Sequence, residues 1–166
     1  MLSFLHEGAA VISWQIFMEQ ALNKKAIVLG FLVDIVGSTV AGFLLGFAIG
    51  FSASSSGADP MMVMNSAGFG ILSFIIGLAF TVLGGFYAAT RAGFRHLAHA
   101  AWTGGTITIV FGLTSLGFKL YGLMVDPGSV EPKKLLITVI AVAITVPAAM
   151  FGGYLGMLYQ KKAGSN

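Results

Sequence analysis

Only one acidic residue, Asp34, falls inside a long apolar stretch of this 166-residue sequence. It lies about eight residues into the stretch, which along an α-helix corresponds to ~12 Å. A carboxylate at that depth in a membrane costs roughly 2.5–3.5 kcal/mol, so it must be protonated, paired or hydrated. Thr81 and Thr106 are predicted at the same depth on other helices. These three residues form either a candidate ion or proton site or a buried polar cluster that fixes the register of the helices.

Two histidines, His96 and His99, lie three residues apart and follow Arg91 and Arg95. The spacing puts both imidazoles on one helix, whereas haem ligation by two histidines between helices needs them on opposing helices. A metal site would need further ligands, and a chain without cysteine offers few. We therefore predict no metal, no cofactor and no enzymatic activity. An enzyme acting on lipids, the alternative, would have to rely on these four residues.

Small residues recur every fourth position along three of the apolar stretches. Side chains four apart are neighbours on a helix surface, and in lipid small residues let helix backbones touch. The residues predicted to mediate this packing are Gly30, Ser38, Gly42, Gly46, Gly50, Gly77, Gly85 and Gly153. They either pack the helices of one chain together or face a second copy or another membrane subunit.

Four long apolar stretches must position these residues: 26–51, 64–89, 98–124 and 135–159. Each exceeds the ~20 residues that a helix needs to cross a bilayer. The chain is 57% hydrophobic and 9% charged, whereas soluble domains carry about 25% charged residues. The sequence predicts an all-α integral membrane protein with a four-helix transmembrane bundle over 24–162. Short connections, including a loop over 52–60, predict an up-down-up-down arrangement.

Basic residues are distributed unevenly across the predicted membrane. One side carries Lys24, Lys25, Arg91, Arg95, Lys161 and Lys162, and the other carries Lys119, Lys133 and Lys134. Because cytoplasmic loops are enriched in lysine and arginine, both termini are predicted to be cytoplasmic. The six residues of the first set are expected to contact lipid headgroups. They are few and close to the membrane, so nucleic-acid binding is not predicted.

Residues 1–23 precede the first apolar stretch and have a helical pattern of their own. Apolar residues recur every three or four positions, at Leu2, Leu5, Ala9, Ile12 and Ile16. This periodicity predicts a short amphipathic helix lying in the membrane interface. A tail that packs on nothing is the alternative.

A short motif marks the end of the second stretch. The run Gly84-Gly85-Phe86-Tyr87-Ala88-Ala89-Thr90-Arg91 is followed by His96 or His99 and by Gly104. This segment resembles small prokaryotic four-span proteins of unknown function, in which a Gly-Gly-aromatic helix end leads to an arginine and then a histidine. The resemblance implies a bacterial inner membrane and no particular chemistry.

Two functions are consistent with these features. The first is a non-catalytic accessory or scaffolding subunit of a membrane complex, whose partners are lipids and other integral membrane subunits or further copies of itself. The second is a small oligomeric ion- or proton-coupled transporter or channel that uses Asp34. A scaffold depends on packing residues such as Gly46, whereas a transporter depends on the carboxylate.

Overall fold

The computed structural model describes residues 22–126 and 132–164. Within these ranges all regular structure is helical. The elements in chain order are α1 (Lys24–Ser55), α2 (Pro60–Met64), α3 (Ala67–Ala92), α4 (His96–Ile107), a π-helical segment (Thr108–Leu113), α5 (Thr114–Val125) and α6 (Pro132–Ala163). The interfacial helix predicted over 1–23 lies outside the described residues, except for Leu22 and Asn23, which precede α1.

Four helices are long and apolar enough to span a membrane: Lys24–Ser55, Gly68–Ala92, His96–Val125 and Leu135–Ala163. The third of these, called here the third spanning helix, joins α4, the π-helical segment and α5 without a break. The prediction of four membrane-spanning helices is confirmed.

The loop predicted over 52–60 begins later than the sequence indicates. α1 continues to Ser55, and the hydroxyls of Ser55 and Ser56 donate to the carbonyls of Ser52 and Ala53, both at 2.9 Å. Serine disfavours a helix when its hydroxyl competes for backbone groups. Here the hydroxyls bond to carbonyls of their own helical turn, so the serine run remains helical.

Local capping sets where the spanning helices start and stop. The Asn23 side chain accepts a hydrogen bond from the Ala26 amide at 3.2 Å, and the Ser66 hydroxyl accepts one from the Phe69 amide at 3.3 Å. Both provide acceptors for N–H groups that a helix start leaves unpaired. α3 ends before Gly93, whose φ of 73° is a left-handed conformation that glycine adopts at little steric cost.

α3 and the third spanning helix lie at the centre of the packing. They contact each other, and both contact α1 and α6, whereas α1 and α6 do not touch within the described ranges. Among the described residues, the buried apolar side chains are all alanines: Ala26, Ala53, Ala88, Ala89, Ala92, Ala100, Ala148 and Ala149. Large apolar side chains such as Phe43, Phe118 and Met124 are exposed, as expected where lipid is the solvent.

Helix backbones touch directly where glycines meet. A Cβ atom built on Gly30 would lie 2.6 Å from the Gly84 carbonyl oxygen, and one built on Gly84 would lie 2.6 Å from the Gly30 carbonyl oxygen. A Cβ atom built on Gly85 would overlap the carbonyl group of Ala149. Only glycine allows helices to cross at these separations.

The close contacts gather at one end of the molecule. This end holds the starts of α1 and α4, the ends of α3 and α6, and the six basic residues predicted to contact headgroups; it is called the basic end. The opposite, distal end holds α2 and the ends of α1 and α5. Gly42, Gly46 and Gly77 have no described atom within 4 Å of a built Cβ. The glycine positions where helix backbones touch therefore lie nearer the basic end.

The contact at Gly85 predicts a strict limit on side-chain size. We expect Gly85→Ala to lower the free energy of unfolding by about 1–3 kcal/mol, because the new methyl group overlaps the Ala149 backbone. Gly105→Ala is the matched control, since Gly105 lies in open space on α4. It should be neutral or stabilising, because alanine favours a helix over glycine by about 1 kcal/mol. The melting temperatures of the two variants, measured in the same detergent, test this prediction. Equal shifts for Gly85→Ala and Gly105→Ala would contradict the close contact between Gly85 and Ala149.

Candidate functional site

Asp34 lies in a cavity to which all four spanning helices contribute. The cavity has a volume of about 290 Å³. It is lined by Asp34, Ile35, Ser38, Thr39, Phe74, Gly77, Leu78, Thr81, Ile107, Phe111, Ala141 and Thr145. Asp34 is 4% exposed and Thr81 is 6% exposed, whereas Thr39 is exposed. Asp34 and Thr81 thus form the floor of the cavity, and Thr39 lies towards its mouth.

Backbone contact closes the cavity on the side of the basic end. Gly30 lies one helical turn before Asp34, and Gly84 lies one turn after Thr81. A Cβ atom built on Gly84 would lie 2.6 Å from the Gly30 carbonyl oxygen and 3.2 Å from Cβ of Asp34. This spacing leaves no room for a side chain or a water molecule between the two backbones. Access to Asp34 is therefore restricted to the rest of the cavity.

Three of the four hydroxyl groups that line the cavity donate to carbonyls of their own helices. Ser38 donates to the Ile35 carbonyl at 3.2 Å, Thr81 to the Gly77 carbonyl at 3.1 Å, and Thr145 to the Ala141 carbonyl at 2.7 Å. Each hydroxyl has one hydrogen and further lone pairs. Ser38 and Thr145 therefore present acceptors to the cavity.

The Asp34 carboxyl has only part of its hydrogen-bonding capacity satisfied. The Thr81 hydroxyl lies in hydrogen-bonding range of it. The Oδ2 atom is buried and has no hydrogen-bond partner among the described residues. A buried polar atom without a partner is unfavourable by about 1–3 kcal/mol, and more for a charged group. Such atoms are exceptions that call for an explanation.

The structure brings together two of the three residues predicted to form this site. Asp34 and Thr81 meet in the cavity, but Thr106 does not line it, and its hydroxyl donates to the Trp102 carbonyl at 2.8 Å. The third spanning helix instead contributes Ile107 and Phe111. Depth along the helix could be counted from the sequence, but the direction in which each residue faces could not.

Ser38 and Thr145 complete the polar wall, although neither was predicted to belong to the ion site. A signal for Ser38 exists in the sequence, since it follows Asp34 by four residues and shares its helix face. Thr145 is one of several hydroxyl residues in α6, and nothing in its sequence context singles it out.

The predicted packing residues separate into two groups. Gly30, Gly85 and Gly153 lie against neighbouring helices, and a Cβ atom built on Gly153 would lie 3.1 Å from the His96 carbonyl oxygen. Ser38 and Gly77 line the Asp34 cavity. The remaining three, Gly42, Gly46 and Gly50, line a separate groove on the distal half of α1.

This groove has a volume of about 550 Å³ and is lined by Gly42, Phe43, Gly46, Phe47, Gly50, Phe51, Ser54, Pro60 and Met64. The three phenylalanines are 72%, 67% and 71% exposed. Among these glycines, only Gly50 has a close neighbour in the part of the chain that the structure describes: the terminal methyl of Met64 lies 3.1 Å from a Cβ built on it. We call this surface the distal groove.

Helical geometry explains why one ridge of small residues serves two surfaces. A residue advances by 100° around an α-helix, so a step of four residues overshoots a full turn by about 40°. Four such steps separate Gly30 from Gly46, which places them about 160° apart around α1. The ridge of small residues on α1 therefore faces the inside of the structure at Gly30 and the outside at Gly46.

A buried histidine connects the first and third spanning helices at the basic end. His99 is 0% exposed, and its Nε2 atom accepts a hydrogen bond from the Asn23 backbone amide at 2.8 Å. Because an amide N–H can only donate, Nδ1 must carry the imidazole hydrogen, which it donates to the Arg95 carbonyl at 3.1 Å. The ring also packs edge-to-face on Phe94, with centroids 5.2 Å apart. Sequence reasoning missed this role, because it considered both histidines only as haem or metal ligands or as residues of an enzyme acting on lipids.

Two more side chains bond to the end of α3. Nδ1 of His96 lies 2.9 Å from the Ala89 carbonyl oxygen, and the Gln160 amide donates to the Thr90 carbonyl at 2.5 Å. Carbonyls in the last turn of a helix have few intrahelical partners, and the Ala89 carbonyl also accepts from the Gly93 amide. The two side-chain bonds connect the end of α3 to α4 and to α6. Polar contacts therefore hold all four spanning helices together at this end.

The six basic residues lie around this polar cluster. Lys24, Lys25, Arg91, Lys161 and Lys162 are exposed, as contact with lipid headgroups would require, and Arg95 is half-buried. Arg95 also has a left-handed backbone, with φ and ψ both 45°. This conformation is unfavourable for a residue other than glycine, and it turns the chain sharply into α4.

Comparison with protein-family models, with curated proteins and with solved structures finds no match for this chain.

The bond between His99 and Asn23 predicts a stability effect that a merely interfacial histidine would not have. We expect His99→Ala to lower the free energy of unfolding by about 1–3 kcal/mol or more, since it leaves the Asn23 amide without an acceptor. His96→Ala is the matched control. The Ala89 carbonyl that His96 contacts also accepts from the Gly93 amide at 3.3 Å, so its loss should matter less. Thermal unfolding in detergent would contradict this assignment if the two variants behaved alike.

Proposed function

We propose that the protein is a non-catalytic subunit of a membrane complex and that it binds a transmembrane helix of another subunit in the distal groove. The observation that carries the proposal is the open glycine face at Gly42 and Gly46. On the same helix, Gly30 lies against the Gly84 backbone, whereas Gly42 and Gly46 face open space within the described chain.

The shape of the distal groove supports a helix as its occupant. Glycines form its floor, and Phe43, Phe47 and Phe51 project beside it. Two glycines four apart allow a partner helix to approach closely, commonly at a crossing angle of about −40°. Large side chains flanking such a floor add dispersion contacts with that helix.

We also infer how the chain lies in the membrane. The four spanning helices are taken to run up-down-up-down in a bacterial inner membrane, with the basic end and both termini in the cytoplasm. The gathering of lysine and arginine at one end supports this orientation. Residues 1–23 are taken to form an amphipathic helix on the same membrane face.

A second candidate function is favoured by the Asp34 cavity. A small ion- or proton-coupled transporter or channel needs an ionisable group within the membrane that a ligand can reach. Asp34 meets the first requirement, and its unpartnered Oδ2 atom in a cavity of about 290 Å³ supports the second.

The docking proposal predicts that a single large side chain in the groove releases the partner. The protein is purified from its native membrane in mild detergent, and the accompanying subunits are identified and quantified by mass spectrometry. Wild type should retain a stoichiometric foreign subunit, and Gly46→Leu should lose it because the leucine fills the floor of the groove. Gly70→Leu is the matched control, since Gly70 is an exposed glycine on α3 with open space around it.

A single cysteine then identifies what occupies the groove. The natural chain has no cysteine, so Phe47→Cys provides one reactive position there. A reagent with a maleimide at one end and a photoactivated group at the other should link it to the foreign subunit. Linkage only to a second copy of the chain would show that the groove mediates self-association and does not bind a foreign subunit. A monomer that forms no cross-link would overturn the docking proposal.

The orientation predicts opposite labelling of the two ends. In intact spheroplasts, a membrane-impermeant maleimide should label Ala58→Cys at the distal end but not Ala163→Cys at the basic end; both positions are exposed. Lysis should make Ala163→Cys reactive as well. The reverse pattern would show that the basic end lies outside the cytoplasm.

A further inference from the structure

We propose that the Asp34 cavity binds a small organic ammonium ion, with the cationic nitrogen at the Asp34 carboxylate and the apolar substituent against the cavity wall. This inference deepens the second candidate function by giving its ligand a chemical class. It does not depend on the distal groove, because Gly42 and Gly46 do not line the cavity.

The carboxylate supplies the first argument. Only 4% of the Asp34 surface is exposed, and its Oδ2 atom has no hydrogen-bond partner among the described residues. None of the described residues lining the cavity is basic. When the carboxyl is ionised, the described lining of the cavity offers it no counter-ion, and a cationic ligand would provide one.

The hydroxyl groups supply the second argument. Ser38 and Thr145 each donate their only hydrogen to a carbonyl of their own helix, so they can only accept further hydrogen bonds. The Thr81 hydroxyl lies within reach of both the Gly77 carbonyl and the Asp34 carboxyl. Together with Asp34, Ser38 and Thr145 form a set of acceptors, which favours N–H donors and disfavours anions.

The size and the apolar wall distinguish an organic cation from a metal ion. The volume of about 290 Å³ is close to the lower end, about 300 Å³, of pockets that bind small organic molecules. Much of the lining is apolar, with Leu78, Ile107 and two aromatic rings, Phe74 and Phe111. Phe111 stacks on Phe31 of α1, with centroids 6.3 Å apart, which holds its position. Aromatic rings attract alkylammonium groups, whereas a sodium ion would use only the oxygen ligands.

Binding of phenethylammonium to the purified protein in nanodiscs tests the proposal. Isothermal titration calorimetry should show saturable binding to wild type, and the neutral 2-phenylethanol should bind far more weakly. Asp34→Asn should weaken binding of the ammonium ion by about 10- to 100-fold, the range expected for loss of a charge-assisted hydrogen bond. Asp59→Asn is the matched control: Asp59 is exposed, outside the cavity, and caps α2. It should leave binding unchanged.

A second variant keeps the test decisive if Asp34→Asn does not fold. Gly77 lines the cavity and has no described atom within 4 Å of a built Cβ, so Gly77→Leu should fill the space without disturbing a helix contact. It should abolish binding, whereas Gly70→Leu, on the same helix but outside the cavity, should not.

Two results would overturn the proposal. One is equal binding of phenethylammonium to wild type, Asp34→Asn and Gly77→Leu, which would place the ligand in the lipid or at another site. The other is absence of ammonium binding together with Asp34-dependent binding of radiolabelled sodium, which would make this a metal-cation site. Failure of the distal groove to hold a partner would leave both measurements unaffected.

Discussion

The structure depends on direct contact between helix backbones, because the described chain has no core of large apolar side chains. Lipid tails are as apolar as leucine, so burying leucine between helices gains little in a membrane. Close approach of backbones instead gains dispersion and Cα–H···O contacts. Gly30 against Gly84, and Gly85 against Ala149, provide that approach. All four residues lie in the half of the molecule nearer the basic end, and the other features follow from this location.

Helix backbones that touch only in the half nearer the basic end leave spaces between and beside the helices in the other half. The inner space is the Asp34 cavity, and the outer one is the distal groove. α1 lines both, because its ridge of small residues rotates by about 160° between Gly30 and Gly46. α1 therefore contributes to internal packing, to the polar cavity and to an external surface. The effect of a substitution on α1 depends on which of these three surfaces the substituted residue faces.

The sequence predicts the spanning helices well, because the length of an apolar run is a property of the chain alone. It predicts less about the direction in which each side chain faces. Thr106 was placed with Asp34 by depth, yet its side chain faces elsewhere, and the π-helical segment that follows at Thr108–Leu113 leaves no sequence signal. The His99 role was missed because its partner is a backbone amide 76 positions away. Such a pairing depends on tertiary packing rather than on any local pattern of residues.

That same separation has a consequence for the order in which the protein is assembled. At about 5–20 residues per second, the ribosome adds His99 roughly 4–15 s after Asn23, because the two are 76 positions apart. During that interval the first helix can enter the membrane, but its leading amide must remain bonded to water or to a lipid headgroup. The start of the first helix is therefore completed only after the third has been made, and a nascent chain that stalls after α3 would lack the His99 acceptor for the Asn23 amide.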